Sequence, residues 1–292
     1  MIRDQAQGLR EQFNKPSDGL KKLSGKVRSL SFTSGKGGVG KTNIVVNLAV
    51  QFSKMGKKVL LIDADFGLAN IDILLNLTPT YTIEDVLMGN RTIEEVLQVG
   101  PLGMHILPAA SGVSEMSELD SDQQMGLINE LSSLQENYDY ILIDTGAGIA
   151  SSVLRFNAAA DEICVITNTE PTALTDAYAL MKVMATKYQV SRFNLIVNQV
   201  TSMKEARGVH TKLQTVFDQF LPVSLILTGF IPRDPNFTKA VRAQTPLSLM
   251  APASATAKAF SLIAQHIDRN PGEEMKAEVG FFTRVGLFKK KF

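Results

Sequence analysis

The chain has 292 residues, of which 45% are hydrophobic and 20% charged, a composition typical of a globular protein with a full core and at most two domains. No apolar run approaches the roughly 18 residues of a membrane-spanning helix, and the first thirty residues contain no apolar segment typical of a secretory signal. The single cysteine, Cys164, cannot form an internal disulfide, which favours a reduced cytoplasmic environment and a packed thiol.

The net charge of +1 is unevenly distributed along the chain. Residues 1–30 and residues 281–292 each carry +4, which leaves −7 on the residues between them. Basic ends predict contacts with anionic or acidic partners. An acidic body disfavours non-specific binding of nucleic acid, so no direct DNA binding is expected.

Short apolar runs alternate with helical patterns along most of the chain. Strands are predicted at 29–34, 58–65, 103–109, 138–146, 162–169, 193–200 and 225–234, and helices near 41–54, 121–136, 172–188 and 207–220. Apolar strands separated by helices are typical of a parallel sheet covered on both faces. The predicted fold class is α/β, a doubly wound and mostly parallel sheet.

Four segments are predicted. Residues 1–27 form an N-terminal segment and tether, and residues 28–267 form the α/β domain. Residues 268–279 contain Asn-Pro-Gly followed by charges, which indicates a linker. Residues 280–292 form a basic and aromatic tail.

The stretch GKGGVGKT after the first strand has the glycine and lysine spacing of a phosphate-binding P-loop. Glycines allow successive N–H groups to turn toward a phosphate, and the following helix points its N-terminal dipole at the same anion. Lys41 would reach the β- and γ-phosphates, and the Thr42 hydroxyl would ligate Mg²⁺. ATP and Mg²⁺ are therefore the expected cofactors. The residues expected to bind the nucleotide in this loop are Gly35, Lys36, Gly37, Gly38, Val39, Gly40, Lys41, Thr42 and Asn43.

A second lysine, Lys36, follows the first glycine of the loop. KGGVGKT resembles the deviant P-loop of the MinD/ParA ATPases, a family that includes the nitrogenase iron protein. The resemblance implies that Lys36 reaches the nucleotide of a facing subunit, so that an ATP-bound homodimer encloses two ATP molecules. A cation supplied in trans can stabilise charge on the transferred phosphate. The resemblance thus implies an ATPase in which Lys36, Lys41 and Asp65 have catalytic roles.

Acidic residues end two of the predicted strands. VLLIDADFGLANIDILL (59–75) is similar to the second motif of the family, which implies that Asp63 helps to hold the Mg²⁺ shell and that Asp65 orients the attacking water. The simpler alternative is that either acid caps the next segment. YILIDTGAG, which follows the pattern of an apolar strand ending in acid, implies that Asp144 contacts Mg²⁺.

Gly146 and Gly148, which follow Asp144, resemble a switch that senses the γ-phosphate through a backbone N–H. Cell-division MinD proteins usually have proline at the position of Gly146. The segment is therefore more similar to the flagellar branch of the family than to MinD itself.

Residues nearer the C-terminus also match the family. TNTEPTALTDAYALMK (167–182) resembles the segment in which Glu170 and Asp176 occupy positions tied to the dimer interface and to activation by a partner; the simpler alternative is that both are helix N-terminal acids. Asn198 resembles the asparagine that reads adenine, and Pro232 and Asp234 lie in the loop on the adenine side.

DQAQGLRE (4–11) resembles the activator box of the flagellar number regulators, the FlhG/FleN/YlxH group. The resemblance implies that Asp4, Gln5, Ala6, Leu9 and Arg10 activate a flagellar SRP-type GTPase (FlhF-like). Gln5 and Arg10 are chemically suited to positioning water and stabilising phosphate charge in trans. Rotor-switch (C-ring) proteins and the flagellar master transcription regulator are the further partners that the resemblance implies.

The tail GFFTRVGLFKKKF (280–292) predicts an amphipathic helix. Phe281, Val285, Phe288 and Phe292 fall on one helical stripe. Flanking this stripe are Phe282, Leu287 and the cations Lys289, Lys290 and Lys291. Aromatic rings with lysines suit an anionic membrane, and two tails in a dimer add avidity. The expected location is cytoplasmic and, in the ATP state, peripheral on the inner face of the cell membrane at the cell pole. The alternative left open is that the tail packs on its own domain.

The sequence favours an ATPase that controls flagellar number and placement. Three alternatives remain open: a cell-division MinD, a ParA-type partition ATPase that binds DNA, and a non-enzymatic scaffold with idle acids. The three histidines, at positions 105, 210 and 266, lack the spacing of metal ligands.

Overall fold

The computed structural model describes residues 27–65, 70–108, 121–271 and 280–287. Its strands are β1 (Arg28–Ser34), β2 (Val59–Ala64), β3 (Gln98–Val99), β4 (His105–Leu107), β5 (Tyr140–Ala147), β6 (Glu162–Thr167), β7 (Arg192–Val200) and β8 (Ser224–Pro232). Its α-helices are α1 (Lys41–Lys54), α2 (Ile71–Leu74), α3 (Ile83–Leu87), α4 (Ile93–Val96), α5 (Ser121–Gln135), α6 (Ser151–Ala159), α7 (Pro171–Tyr188), α8 (Met203–Phe220), α9 (Asn236–Arg242), α10 (Leu247–Met250), α11 (Ala255–Arg269) and α12 (Phe281–Leu287).

The strands form one sheet with the order β3-β4-β2-β5-β1-β6-β7-β8. All neighbouring pairs are parallel except β3 and β4. Parallel neighbours require crossover connections, which the helices supply. The predicted α/β fold class is confirmed, and the carboxyl ends of β1, β2 and β5 meet at one edge, where ligands of such sheets bind.

Helices cover both faces of the sheet, as the uninterrupted apolar strands predict. On one face α1, α10 and α11 pack over the sheet through side chains such as Phe52 and Phe260. On the other face α5, α6 and α12 share one apolar cluster, and α7 and α8 share a second with β6 and β7. Cys164 is fully buried in the sheet, which confirms the prediction of a packed thiol.

The C-terminal helix α12 lies on the domain. Phe281 and Phe282 are each only 2% exposed and Val285 is 9% exposed, in the cluster that includes α5 and α6. This is the alternative that the sequence left open, and a membrane-facing role for these side chains requires α12 to leave its groove. The structure describes neither the side chain of Leu287 nor residues 288–292, which include Phe288, Phe292 and the three lysines.

One predicted boundary differs from the observed one, and one predicted segment lies outside the described residues. Helix α11 continues to Arg269, so the domain extends past the predicted end at residue 267, and α12 contributes to its core. The activator box lies within residues 1–26, outside the described part of the chain. Within the described ranges, none of the helices has both the length and the apolar character needed to cross a membrane.

Candidate nucleotide site

The P-loop connects β1 to α1 at the carboxyl edge of the sheet. Gly38 and Gly40 adopt left-handed backbone angles, with φ of +81° and +88°, which glycine tolerates without strain. Gly35 faces a different constraint, because a Cβ there would lie 2.1 Å from the carbonyl carbon of Asp176 in α7. By contrast, a Cβ on Gly37 or Gly38 would meet no atom within 4 Å. The loop therefore rests on α7 at one end and faces open space at its centre, where a phosphate fits.

Lys41, Thr42 and Asp144 converge at the base of this loop. The Lys41 Nζ lies 2.6 Å from Asp144 Oδ1, with 7% and 1% of the two side chains exposed. The Thr42 hydroxyl donates a second hydrogen bond to Asp144. Burial raises the pKa of Asp144, and the Lys41 ammonium opposes that shift. A lysine, a hydroxyl and a carboxylate in contact fit a Mg²⁺–phosphate group, which would separate Lys41 from Asp144.

Asp63, at the end of β2, holds the following loop. Its Oδ1 accepts a hydrogen bond of 3.1 Å from the backbone N–H of Asp65, and its Oδ2 accepts bonds of 3.0 and 3.2 Å from those of Asn70 and Ile71. Burial, with a contribution from Asp144, raises the pKa of Asp63 to about 6. Both oxygens of Asp63 therefore have a structural task here, and a share in the Mg²⁺ shell stays a prediction.

Asp65 lies close to Gly146, the first glycine of the switch. A Cβ on Gly146 would lie 3.5 Å from Asp65 Oδ1 and 3.3 Å from Val153 Cγ2. The N–H of Gly148 donates a 2.8 Å hydrogen bond to the carbonyl of Ser34, just before the P-loop. The switch thus contacts the predicted catalytic acid, the P-loop strand and helix α6.

Lys36 and Lys41 contact different residues. Its Nζ is 3.1 Å from Glu170 Oε2 and 3.1 Å from the hydroxyl of Thr172, both at the start of α7 in the same chain. The structure brings the predicted residues Lys36 and Glu170 together, and it adds Thr172, which the sequence analysis missed. Thr172 follows Glu170 by two residues. This spacing could have indicated the contact between Thr172 and Lys36 only if the pairing of Lys36 with Glu170 in the same chain were already known.

The adenine-side residues line a groove of about 850 Å³ next to the P-loop. Asn43, Asn198, Pro232 and Asp234 all contribute to its wall. The side-chain amide of Asn198 donates a 2.7 Å bond to the Val39 carbonyl, so this amide supports the P-loop in the structure, while reading of adenine stays a prediction. A larger groove of about 1210 Å³ at the amino ends of β6, β7 and β8 contains none of the predicted site residues.

The described residues contain no cluster of three or more His, Cys, Asp or Glu side chains arranged to hold a metal ion. His105 pairs with the Tyr138 hydroxyl and His210 with the Leu225 carbonyl.

The fold and P-loop geometry agree with comparisons to known proteins. A family model described as an AAA domain matches residues 27–197. The antiactivator FleN of Pseudomonas aeruginosa is 43% identical over 245 residues, which cover 84% of this chain and 88% of FleN. The flagellum site-determining protein YlxH of Helicobacter pylori is 32% identical, over 82% of this chain and 81% of YlxH.

Solved structures agree with this assignment. The septum site-determining protein MinD of Pyrococcus horikoshii, complexed with Mg-ADP, superposes with a TM-score of 0.66 at 26% identity, over 87% of this chain and 100% of MinD. The chain therefore belongs to the FleN/YlxH-like group of MinD/ParA-family ATPases.

Proposed function

We propose that this protein is an ATPase that controls flagellar number and placement by dimerising in the presence of ATP. The observation that carries the proposal is the position of Lys36. Lys41 already lies at the base of the P-loop against Asp144, whereas the Lys36 Nζ is held only by a partly exposed pair with Glu170 and by the Thr172 hydroxyl, contacts that it can exchange for a second nucleotide. The printed names of its relatives, an antiactivator and a flagellum site-determining protein, support the flagellar role.

The residues of this chain divide the work of hydrolysis as follows. Lys41 and Thr42 bind the nucleotide of their own subunit, and Lys36 stabilises phosphate charge on that of the facing subunit. Asp65, beside the switch, orients the water. Bound Mg²⁺ would supply charge neutralisation between the phosphates. We infer that Gly146 and Gly148 respond to the γ-phosphate, for which the N–H of Gly148 would exchange its bond to the Ser34 carbonyl.

Membrane attachment competes with the docked state of α12. Phe281, Phe282 and Val285 cannot lie in a core and in a bilayer at once, so docking on the domain and binding to the membrane exclude each other. We infer that the ATP-bound dimer releases α12 and that two released tails hold it on anionic lipid at the inner face of the membrane. Hydrolysis then returns monomers to the cytoplasm.

A buried ion pair holds α12 in place. The guanidinium of Arg284 lies 2.8 Å from Asp161 Oδ1, and its Nε donates a 2.6 Å bond to the Ala159 carbonyl. Removing one partner of such a pair leaves a buried charge and costs about 3–5 kcal/mol. Arg284 thus serves the docked state as well as any later contact with lipid headgroups.

The docked state can be weakened without changing the tail. Asp161→Asn should raise binding to phosphatidylglycerol vesicles in the absence of ATP, because it removes the carboxylate that holds Arg284. Asp218→Asn, which removes one acid from the end of α8, is the matched control and should bind vesicles like the wild type. Equal vesicle binding by Asp161→Asn and wild type would contradict the competition between groove and membrane.

The partners proposed here are a flagellar SRP-type GTPase engaged by residues 4–10, rotor-switch proteins and the flagellar master transcription regulator. The test of function is a flagella count in a strain whose chromosomal copy carries Lys41→Ala. Extra or misplaced flagella are expected. A normal count with minicells would instead support a cell-division role and overturn the proposal. Removal of residues 1–26 should abolish stimulation of the partner's GTPase while ATP hydrolysis persists.

A further inference from the structure

One face of the central strand β1 is polar although the strand is buried on both sides. Ser29, Ser31 and Thr33 alternate with Leu30 and Phe32, and all five are at most 1% exposed. The apolar pair packs toward α1, and alternation places the three hydroxyl residues on the face that α6 covers, where the hydroxyls of Ser29 and Ser31 donate to Asp161 and to the Glu162 carbonyl just after α6. Strands buried on both faces are normally apolar throughout, so this seam between β1 and α6 requires a reason.

Asn157 of α6 occupies the middle of the seam. It is fully buried, and its Nδ2 donates a 3.1 Å hydrogen bond to the Thr33 hydroxyl. Its Oδ1 has no hydrogen-bond partner among the described residues. A buried acceptor without a partner costs free energy, whereas an apolar pair of the same shape is close to neutral. Stability therefore does not account for an amide at this position.

The two ends of α6 lie against the switch and against α12, the two elements whose conformation is proposed to depend on the nucleotide. Near its start, Val153 lies close enough to Gly146 of the switch that a Cβ on this glycine would be 3.3 Å from Val153 Cγ2. The N–H of Gly148 donates to the carbonyl of Ser34, the residue after Thr33. Near its end, the ring of Phe156 lies 6.3 Å from that of Phe281 in α12. The Ala159 carbonyl accepts the bond from Arg284. A displacement of α6 along β1 would therefore move both contacts together.

We propose that the seam of Ser29, Ser31, Thr33 and Asn157 lets α6 shift on β1, so that the nucleotide state sensed at the switch is transmitted to the groove of α12. Hydrogen bonds between small polar groups can be exchanged, whereas interdigitated apolar side chains resist sliding. Asn157 is the positioning residue, because its Nδ2 bonds α6 to Thr33 while its Oδ1 has no partner among the described residues and can take a donor when α6 moves. The inference rests on the proposed release of α12 by ATP.

The test compares hydrogen–deuterium exchange in residues 280–287 of the full chain with Mg·ADP and with a non-hydrolysable ATP analogue. In the wild type the analogue should speed exchange in α12. Asn157→Leu combined with Thr33→Val replaces both polar partners, so that no buried group is left unpaired. This double variant should form ATP-dependent dimers but lose the faster exchange in α12.

Two further variants serve as controls. Thr33→Ser retains the hydroxyl and should retain the response. Thr256→Val removes a fully buried hydroxyl without a described partner on α11, and it should respond like the wild type.

Faster exchange in α12 of the double variant, equal to that of the wild type, overturns the inference. Loss of both the faster exchange and dimerisation also overturns it, because the seam would then act on the whole switch. Absence of any response in the wild type overturns the proposed release of α12 itself. The two failures are therefore distinguishable.

Discussion

Lys36 and Glu170 form an ion pair within one chain, with 3.1 Å between Nζ and Oε2. The side chains are 41% and 57% exposed, and such a pair contributes about 0–1 kcal/mol. A weak pair can be exchanged at low cost for a phosphate. Glu170 therefore holds the lysine that the proposed dimer requires, and it releases it readily.

Removing that carboxylate should favour the dimer. Glu170→Gln frees Lys36 in both subunits, and a gain of up to about 1 kcal/mol in each corresponds to a dimer dissociation constant lower by up to roughly thirtyfold. Sedimentation velocity with a non-hydrolysable ATP analogue measures this. Glu95→Gln removes a comparably exposed partner from the Arg91–Glu95 pair and should leave the dimer unchanged. A weaker dimer for Glu170→Gln would show that the carboxylate contributes to the interface itself.

The two glycines at the start of the P-loop should differ in their effect on stability. Gly35→Ala places a Cβ against the backbone of α7, and overpacking of this kind costs about 1–3 kcal/mol or more. Gly37→Ala meets open space. Thermal unfolding without nucleotide should show a lower Tm for Gly35→Ala, by about 2–4 °C per kcal/mol for a domain of this size. Similar Tm values for the two variants would contradict the close approach of Gly35 to Asp176.

Cys164 should be chemically inert in the folded protein. It is fully buried, and burial raises the pKa of its thiol well above the usual range, so almost no thiolate is present at neutral pH. Ellman's reagent should react with one thiol per chain in denaturant and with none before unfolding. Rapid labelling of the native protein would indicate that β6 opens locally.

Asp65→Ala should separate hydrolysis from dimerisation. The carboxylate is proposed to orient water, and loss of such a group lowers turnover by about 10²-fold or more. ATP binding should persist, because Lys41, Thr42 and Asp144 are unchanged. Phosphate release and nucleotide affinity, measured on the same sample, check both halves of the prediction. If Asp65→Ala retained ATP hydrolysis, a group other than Asp65 would orient the attacking water.

The sheet was predictable because its strands are continuous apolar runs separated by strong helical patterns. Helix α6 was not predicted, since it has only nine residues and begins at Ser151-Ser152, where the pattern is weak. The two-residue strand β3 exists through its pairing with β4, and no local signal specifies such a short strand. Residue spacing and motif resemblance located the P-loop and the acids around it.

Contacts between segments that are far apart along the chain could not be predicted from the sequence. The amphipathic stripe of α12 is compatible with a membrane or with a groove, and the choice depends on α5 and α6, which precede it by more than 120 residues. The cis pairing of Lys36 with Glu170 likewise depends on how closely the P-loop approaches α7. The seam around Asn157 required the register between β1 and α6, which no motif specifies.

The central claim is that two chains close over shared nucleotide through Lys36. The direct test is the sedimentation of the Asp65→Ala protein with saturating Mg·ATP, compared with the same protein carrying Lys36→Ala. The account predicts a dimer for Asp65→Ala with Mg·ATP, a monomer with Mg·ADP, and a monomer in both nucleotides once Lys36 is replaced. A monomeric Asp65→Ala protein at saturating Mg·ATP, or equal dimerisation with and without Lys36, would contradict it.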